Sequence, residues 1–257
     1  MPSGLLLLAD SRLPSGGHGH SGGVEALVDR GLLRTAADLA LFLSGRMQTG
    51  AAVPAGATAA ACALAGPPGQ RDPSATWPAE HGTGAREDTP PTASWPTEHA
   101  AWAAWDHAVS ARLPAAAARA ASYAQGAALL RTASQAWPSA ALDALRALPC
   151  AHHPLVLGVA AASAGATPSD AALLAVHHLI GGACTAAVRL LGLDPLAVAA
   201  VAARAGRDGE AAAAEAARSG VAAAAAGDPA LLPADGSPLF DVLAQLHRST
   251  EATLFAS

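Results

Sequence analysis

The stretch LLLLADSRLPSGGHGHSGGVEALVDRGLL, Leu5 to Leu33, decides the fold of this chain, because three readings compete for the same residues. Gly17, Gly19 and Gly22 spell G-x-G-x-x-G, which cradles a pyrophosphate when it follows a strand and opens a helix. Gly19, Ser21 and Gly23 spell G-x-S-x-G, the nucleophile elbow of serine hydrolases. The third reading needs no chemistry. The glycines supply positive φ or close chain approach, making a compact elbow that feeds a helix starting near Val24, with Ser21 as its N-cap.

The dinucleotide reading fails on context. Arg12-Leu13-Pro14 intervenes between the Leu run and the glycines, and no second β–α unit follows. For a hydrolase, Asp170 and His247 follow Ser21 in a permissible order. Yet Ser21 lies too near the N-terminus for the oxyanion-hole elements that precede such a serine. A serine hydrolase using Ser21 therefore stands only as an alternative.

The rest of the chain reads as helix. Ala and Leu dominate, β-branched alternation is missing, and start signals recur. Thr167-Pro168-Ser169-Asp170 offers a cap, a proline at the first helical position and an acid in the first turn. Asp194-Pro195 and Ser237-Pro238 repeat the arrangement, and Thr35 with Asp38 is a further capped start. The patterns predict helices near 22–31, 36–49, 52–65, 99–112, 115–136, 139–148, 153–165, 168–191, 195–205, 209–226 and 238–255. The expected fold is an all-α, single-domain helical bundle of about ten helices spanning 1–257. Residues 66–99 break the pattern: they are rich in Pro, Gly, Thr and Glu and carry a near-repeat, Thr76–His81 against Ser94–His99. This segment is expected to be a disordered or flexible insertion.

Composition removes several function classes. All 15 basic residues are Arg, and the chain has no Lys, hence no Walker A lysine and no P-loop nucleotidase activity of its own. A net charge of -5 argues against nucleic acid, which demands concentrated basic surface. Runs such as Ala51–Ala65 fall short of a membrane span, and with a short Leu5–Leu8 run and no basic residue before it no secretory signal is expected. The three cysteines, Cys62, Cys150 and Cys184, read as buried thiols in a reducing cytoplasm. Histidines pair at His18/His20, His152/His153 and His177/His178. Neighbours on a helix point about 100° apart, so such pairs do not chelate alone. His18 and His20, in a loop, are the weak metal candidates, and a His-loop metal-binding protein is the second alternative.

Read whole, the opening resembles the urease accessory protein UreF family. That family starts with a Leu-rich run, then D-S, then L-P-x-G-G-x-x-H-S-x-G-x-E. The matching residues are Asp10, Ser11, Leu13, Pro14, Gly16, Gly17, His20, Ser21, Gly23 and Glu25. Arg119, Ser122 and Gly126 are similar to its R-x-x-S-x-x-x-G segment, and His153-Pro154 through Gly158 to its H-x-P-x-x-x-G block. Ala187-Val188-Arg189-Leu190 is similar to its A-V-R-L helix. The end, Pro238 to Asp241, His247, and Leu254 to Ser257, resembles its P-x-x-D-I, H-E and R-L-F-x-S, with Arg248 and Thr253 departing from it.

The resemblance implies a maturation factor and not an enzyme, with no catalytic residue and no cofactor. It implies a cytoplasmic homodimer that binds UreD (UreH) and recruits the GTPase UreG to apo-urease for nickel insertion. Partner-binding residues are then expected at Pro14, Gly16, Gly17, His20 and Ser21, at Arg189, and at Phe255 and Ser257. The final helix carries Leu239, Val242, Leu243 and Leu246, with Leu254 beyond, at helical spacing. The resemblance favours this stripe inserting into a partner groove over packing on its own core.

Overall fold

The computed structural model describes residues 3–66, 98–248 and 255. The described residues fold into eleven α-helices, with no strand among them. They are α1 Ser3–Ala9, α2 Val24–Asp29, α3 Ala36–Gln48, α4 Ala52–Ala65, α5 Glu98–Ala111, α6 Ala116–Ala136, α7 Ala140–Arg146, α8 His153–Ser163, α9 Pro168–Leu191, α10 Pro195–Ala226 and α11 Pro238–Arg248. Short 3-10 turns sit at Gly17–Gly19 and Pro229–Leu231. The all-α bundle is as expected; the α/β frame that either glycine motif requires is absent from it. The span of the insertion from 67 to 97 lies outside the described residues.

At the centre are α4 and α8, which are apolar all round, as fully buried helices must be. Val53, then Ala55 to Cys62, are buried in α4, and Pro154 to Ala162 in α8. α9 and α10 pack around this pair, while α3, α6 and α7 complete the shell. Glycines set the spacing where backbones nearly touch. A Cβ at Gly158 would run into the Thr58 carbonyl and the Ala61 methyl, and one at Gly220 into the Gly56 carbonyl. An Ala-rich sequence can therefore fill its core by close helix approach instead of by large side chains.

Local signals account for most boundaries. Thr35/Asp38 and Thr167/Asp170 form reciprocal capping boxes, and Asp194 caps α10 through the amides of Leu196 and Ala197. Two departures from the expected helices have physical causes. The Leu run forms α1, because its short helix buries Leu5 and Leu8 one turn apart. The predicted break between 205 and 209 does not occur, and α10 runs through 32 residues. Gly209 there faces Val176 and Met47, where a side chain would not fit. α9 is long and apolar enough to cross a membrane by length and composition, but its apolar side, including Leu174, Val176, Ile180 and Ala187, is buried in the bundle.

Candidate functional site

The elbow is built on backbone freedom. Gly16 (φ 80°) tucks against Ala128, and Gly22 (φ 62°) and Gly23 (φ 95°) complete the turn into α2. Gly23 occupies the N-cap position, which corrects the expectation for Ser21. Ser21 still does capping work: its buried Oγ accepts the Glu25 amide at 3.3 Å. A hydroxyl fully buried in this way is not a presented nucleophile. Thr132 donates to the Pro14 carbonyl at 2.8 Å, fastening the elbow to α6. Ahead of it, Arg12 binds Asp10 and holds that carboxyl down at about 2.

The far end of the chain returns to this elbow. Phe255 donates its amide to Glu25 Oε2 at 2.9 Å, and its carbonyl accepts from His247 Nε2 at 3.2 Å. His247 Nε2 also lies 3.2 Å from Glu25 Oε2. The Phe255 ring is buried, with the Arg189 guanidinium 4.7 Å from its centroid. Glu25 and His247 are themselves buried, so α2, α9, α11 and the tail meet in one polar knot inside an apolar wall. A buried carboxylate is tolerated here because hydrogen-bond donors surround it.

α11 closes the molecule over a cleft of about 620 Å³. Asp241, on its inner side, accepts the Ala115 amide, and Gln245 Oε1 takes the Ala117 amide at 3.4 Å, so α11 supplies the cap that α6 lacks in its own sequence. Phe240 meets Phe42 edge-on, with centroids 5.2 Å apart. The buried residues of α11 are Leu243 and His247, whereas Leu239, Val242 and Leu246 are exposed. This divides the single stripe expected from the sequence into an inner and an outer row. Leu254 lies outside the described residues.

Five histidines line the cleft: His247 of the knot, and His20, His153, His177 and His178. Burial pushes the imidazoles of His20 and His178 below their ordinary range, and burial with the neighbouring His178 and His20 pushes His153 down to about 3. His178 donates Nε2–H to the Leu8 carbonyl at 2.8 Å, tying α9 to α1. Among the described residues no group of three or more His, Cys, Asp or Glu side chains is placed to hold a metal ion. The side chain of His18 and the whole of Ser257 lie outside the described residues.

A second polar cluster gives the middle motifs their meaning. His152 is buried between two serines, Nε2 at 2.7 Å from Ser110 and Nδ1 at 2.9 Å from Ser122, and stacks on Tyr123 at 3.8 Å. Asp106 accepts from the His152 amide and from the Tyr123 hydroxyl. Burial holds His152 down at about 4. Ser122 also receives the His153 amide at 3.3 Å, Gly126 lets the start of α8 press onto α6, and Arg119 donates to the Leu113 and Pro114 carbonyls. All three residues of the R-x-x-S-x-x-x-G segment thus lock α6 to its surroundings. Their spacing was readable, but Asp106, Ser110 and His152 gave no local signal.

Of the expected contact residues, Pro14 and Gly17 are exposed, His20 is partly buried, and Ser21 and Phe255 are buried. Arg189 is exposed yet already engaged with Phe255. Arg189 and Phe255, expected at separate places, come together in one knot beside the elbow. Glu25 and His247 are its centre, and neither was among the expected contact residues.

The described residues thus form an all-helical bundle that brings Phe255 back onto a glycine elbow, above a histidine-lined cleft. The UreF family model matches residues 33–206. Similarity also runs almost end to end. A urease accessory protein UreF from Mycolicibacterium vanbaalenii is 39% identical over 253 residues, covering 98% of this chain and 97% of that protein. One from Mycobacterium sp. (strain JLS) is 41% identical and one from Mycobacterium marinum 37% identical, with the same shares covered. The chain belongs to the urease accessory protein UreF family.

Proposed function

We propose that this chain is a non-enzymatic scaffold of urease maturation. It binds UreD (UreH) and recruits the GTPase UreG to apo-urease, so that nickel enters the urease active site; it acts as a cytoplasmic homodimer. Family membership gives the urease context. The observation that carries the scaffold reading is the outer row of α11, where Leu239, Val242 and Leu246 stand exposed on a helix whose other side is seated on its own core. Exposed aliphatic side chains one and two turns apart are the form in which helices are taken up by partner grooves. The further contact residues of this reading are Pro14, Gly16, Gly17, His20 and Ser21 of the elbow, Arg189, Phe255 and Ser257.

The test is co-expression of the tagged full chain with UreD, UreG and apo-urease subunits. Capture of UreD and UreG, lost when the chain is cut before Leu254, is the expected result. A folded full-length chain that captures neither overturns the reading.

A further inference from the structure

Arg46 is a feature of the cleft that neither the elbow nor the tail explains. It projects from the last turn of α3 and lines the cleft. Its Nε is buried without a hydrogen-bond partner. The Phe240 ring lies 4.8 Å from its Cζ, and Asp241 acts on it only at longer range, because that carboxylate is committed to the Ala115 amide. Burial pulls the guanidinium down to about 10, so it stays charged at neutral pH. A half-buried cation whose Nε finds no acceptor is costly unless one arrives.

We propose that the cleft binds a small molecule with one carboxylate and an apolar body, its carboxylate seated on Arg46. The guanidinium is a planar fork whose neighbouring N–H groups match a carboxylate edge. Around it the wall is apolar and aromatic, with Phe42, Val53 and Phe240, and about 620 Å³ is an ordinary size for a small-molecule site. Arg112 also lines the cleft but is spent on the Ala108, Ala230, Leu232 and Pro233 carbonyls. With Asp10, Asp235 and Asp241 on the wall, a singly charged carboxylate is favoured over a phosphate dianion. This site is independent of the partner reading above, and its failure would leave that reading untouched.

The experiment is isothermal titration of the full-length chain with phenylacetate, phenylacetamide and inorganic phosphate at fixed ionic strength. Phenylacetate should bind at least tenfold more tightly than either comparison compound. Arg46→Gln should weaken it at least tenfold. Arg46→Lys keeps the charge over Phe240 but not the fork; it should fold like the parent and weaken binding severalfold. Absence of phenylacetate binding overturns the proposal. So does equal binding of phenylacetamide, tighter binding of phosphate, or binding that folded Arg46→Lys leaves unchanged.

Discussion

The Arg189 guanidinium lies over the Phe255 ring, 4.7 Å from Cζ to centroid, so the late part of α9 holds the end of the chain in place. Phe255 is pinned on three sides: by this cation, by Glu25 at its amide and by His247 at its carbonyl. Arg189→Ala should cost about 0.5–1 kcal/mol, the range for an exposed cation–π contact. Glu25→Ala strands a buried imidazole and an amide together and should cost about 1–3 kcal/mol. Chemical denaturation measures both, and hydrogen exchange at the Phe255 amide should accelerate in each variant. Unchanged exchange in Glu25→Ala would remove the knot as the tail's anchor.

Acid should weaken the fold well above the carboxylate range. His152 is held at about 4 and His153 at about 3, both by burial, against about 6.5 in an unfolded chain. Between those limits the unfolded state takes up protons that the native state refuses, so stability falls as pH drops from about 6.5 toward 4. The slope is up to about 1.4 kcal/mol per pH unit for each imidazole. Above pH 7 both groups are neutral in both states and contribute no slope. Denaturation midpoints across pH 4–8 test this, and His152→Gln should flatten the curve.

The close approach of α4 and α8 sets a steric limit. Gly158→Ala places a methyl against the Thr58 carbonyl, an overlap with backbone that no side-chain rotation relieves. The expected loss is about 1–3 kcal/mol or more, read from denaturation midpoints. Gly181→Ala is the control: nothing lies within 4 Å of its Cβ position, and in a helix interior it should be neutral or slightly stabilising.

Thiol reactivity should separate the three cysteines. Cys62 and Cys184 are buried, and burial pushes their thiols up to about 12 and about 11. Cys150 is exposed, contrary to the expectation of three buried thiols; it follows α7 in the short link to α8. Native chain at pH 8 should therefore react promptly at one thiol and at all three after unfolding. Prompt labelling of Cys62 would contradict its packing in α4.

What the sequence disclosed was local. Capping boxes at Thr35 and Thr167 and the Pro starts of α9 and α10 are written in neighbouring residues, and the fold class followed from them. The elbow glycines were likewise readable as backbone freedom. The knot was not, because Glu25 and Phe255 are joined across 230 positions and nothing near either residue signals the other. The same holds for His152 between Ser110 and Ser122. Periodicity also failed on α11 in an instructive way: Leu239, Val242, Leu243 and Leu246 are all apolar, so spacing alone could not say that Leu243 turns inward with His247 while the others face out.

That outward row gives the last prediction. Leu239, Val242 and Leu246 are 60%, 56% and 45% exposed, so replacing them removes little buried area. Leu239→Ser, Val242→Ser and Leu246→Ser together should shift stability by less than about 1 kcal/mol, as surface substitutions do. Leu243→Ser on the inner row removes a buried leucine and should cost about 2–5 kcal/mol. If the outer row is the partner-facing surface, the triple variant should fold normally, keep Phe255 protected from exchange, and lose capture of UreD in the co-expression assay. A triple variant that unfolds would mean the row supports the bundle. One that folds and still captures UreD at the parent level would move the contact off α11.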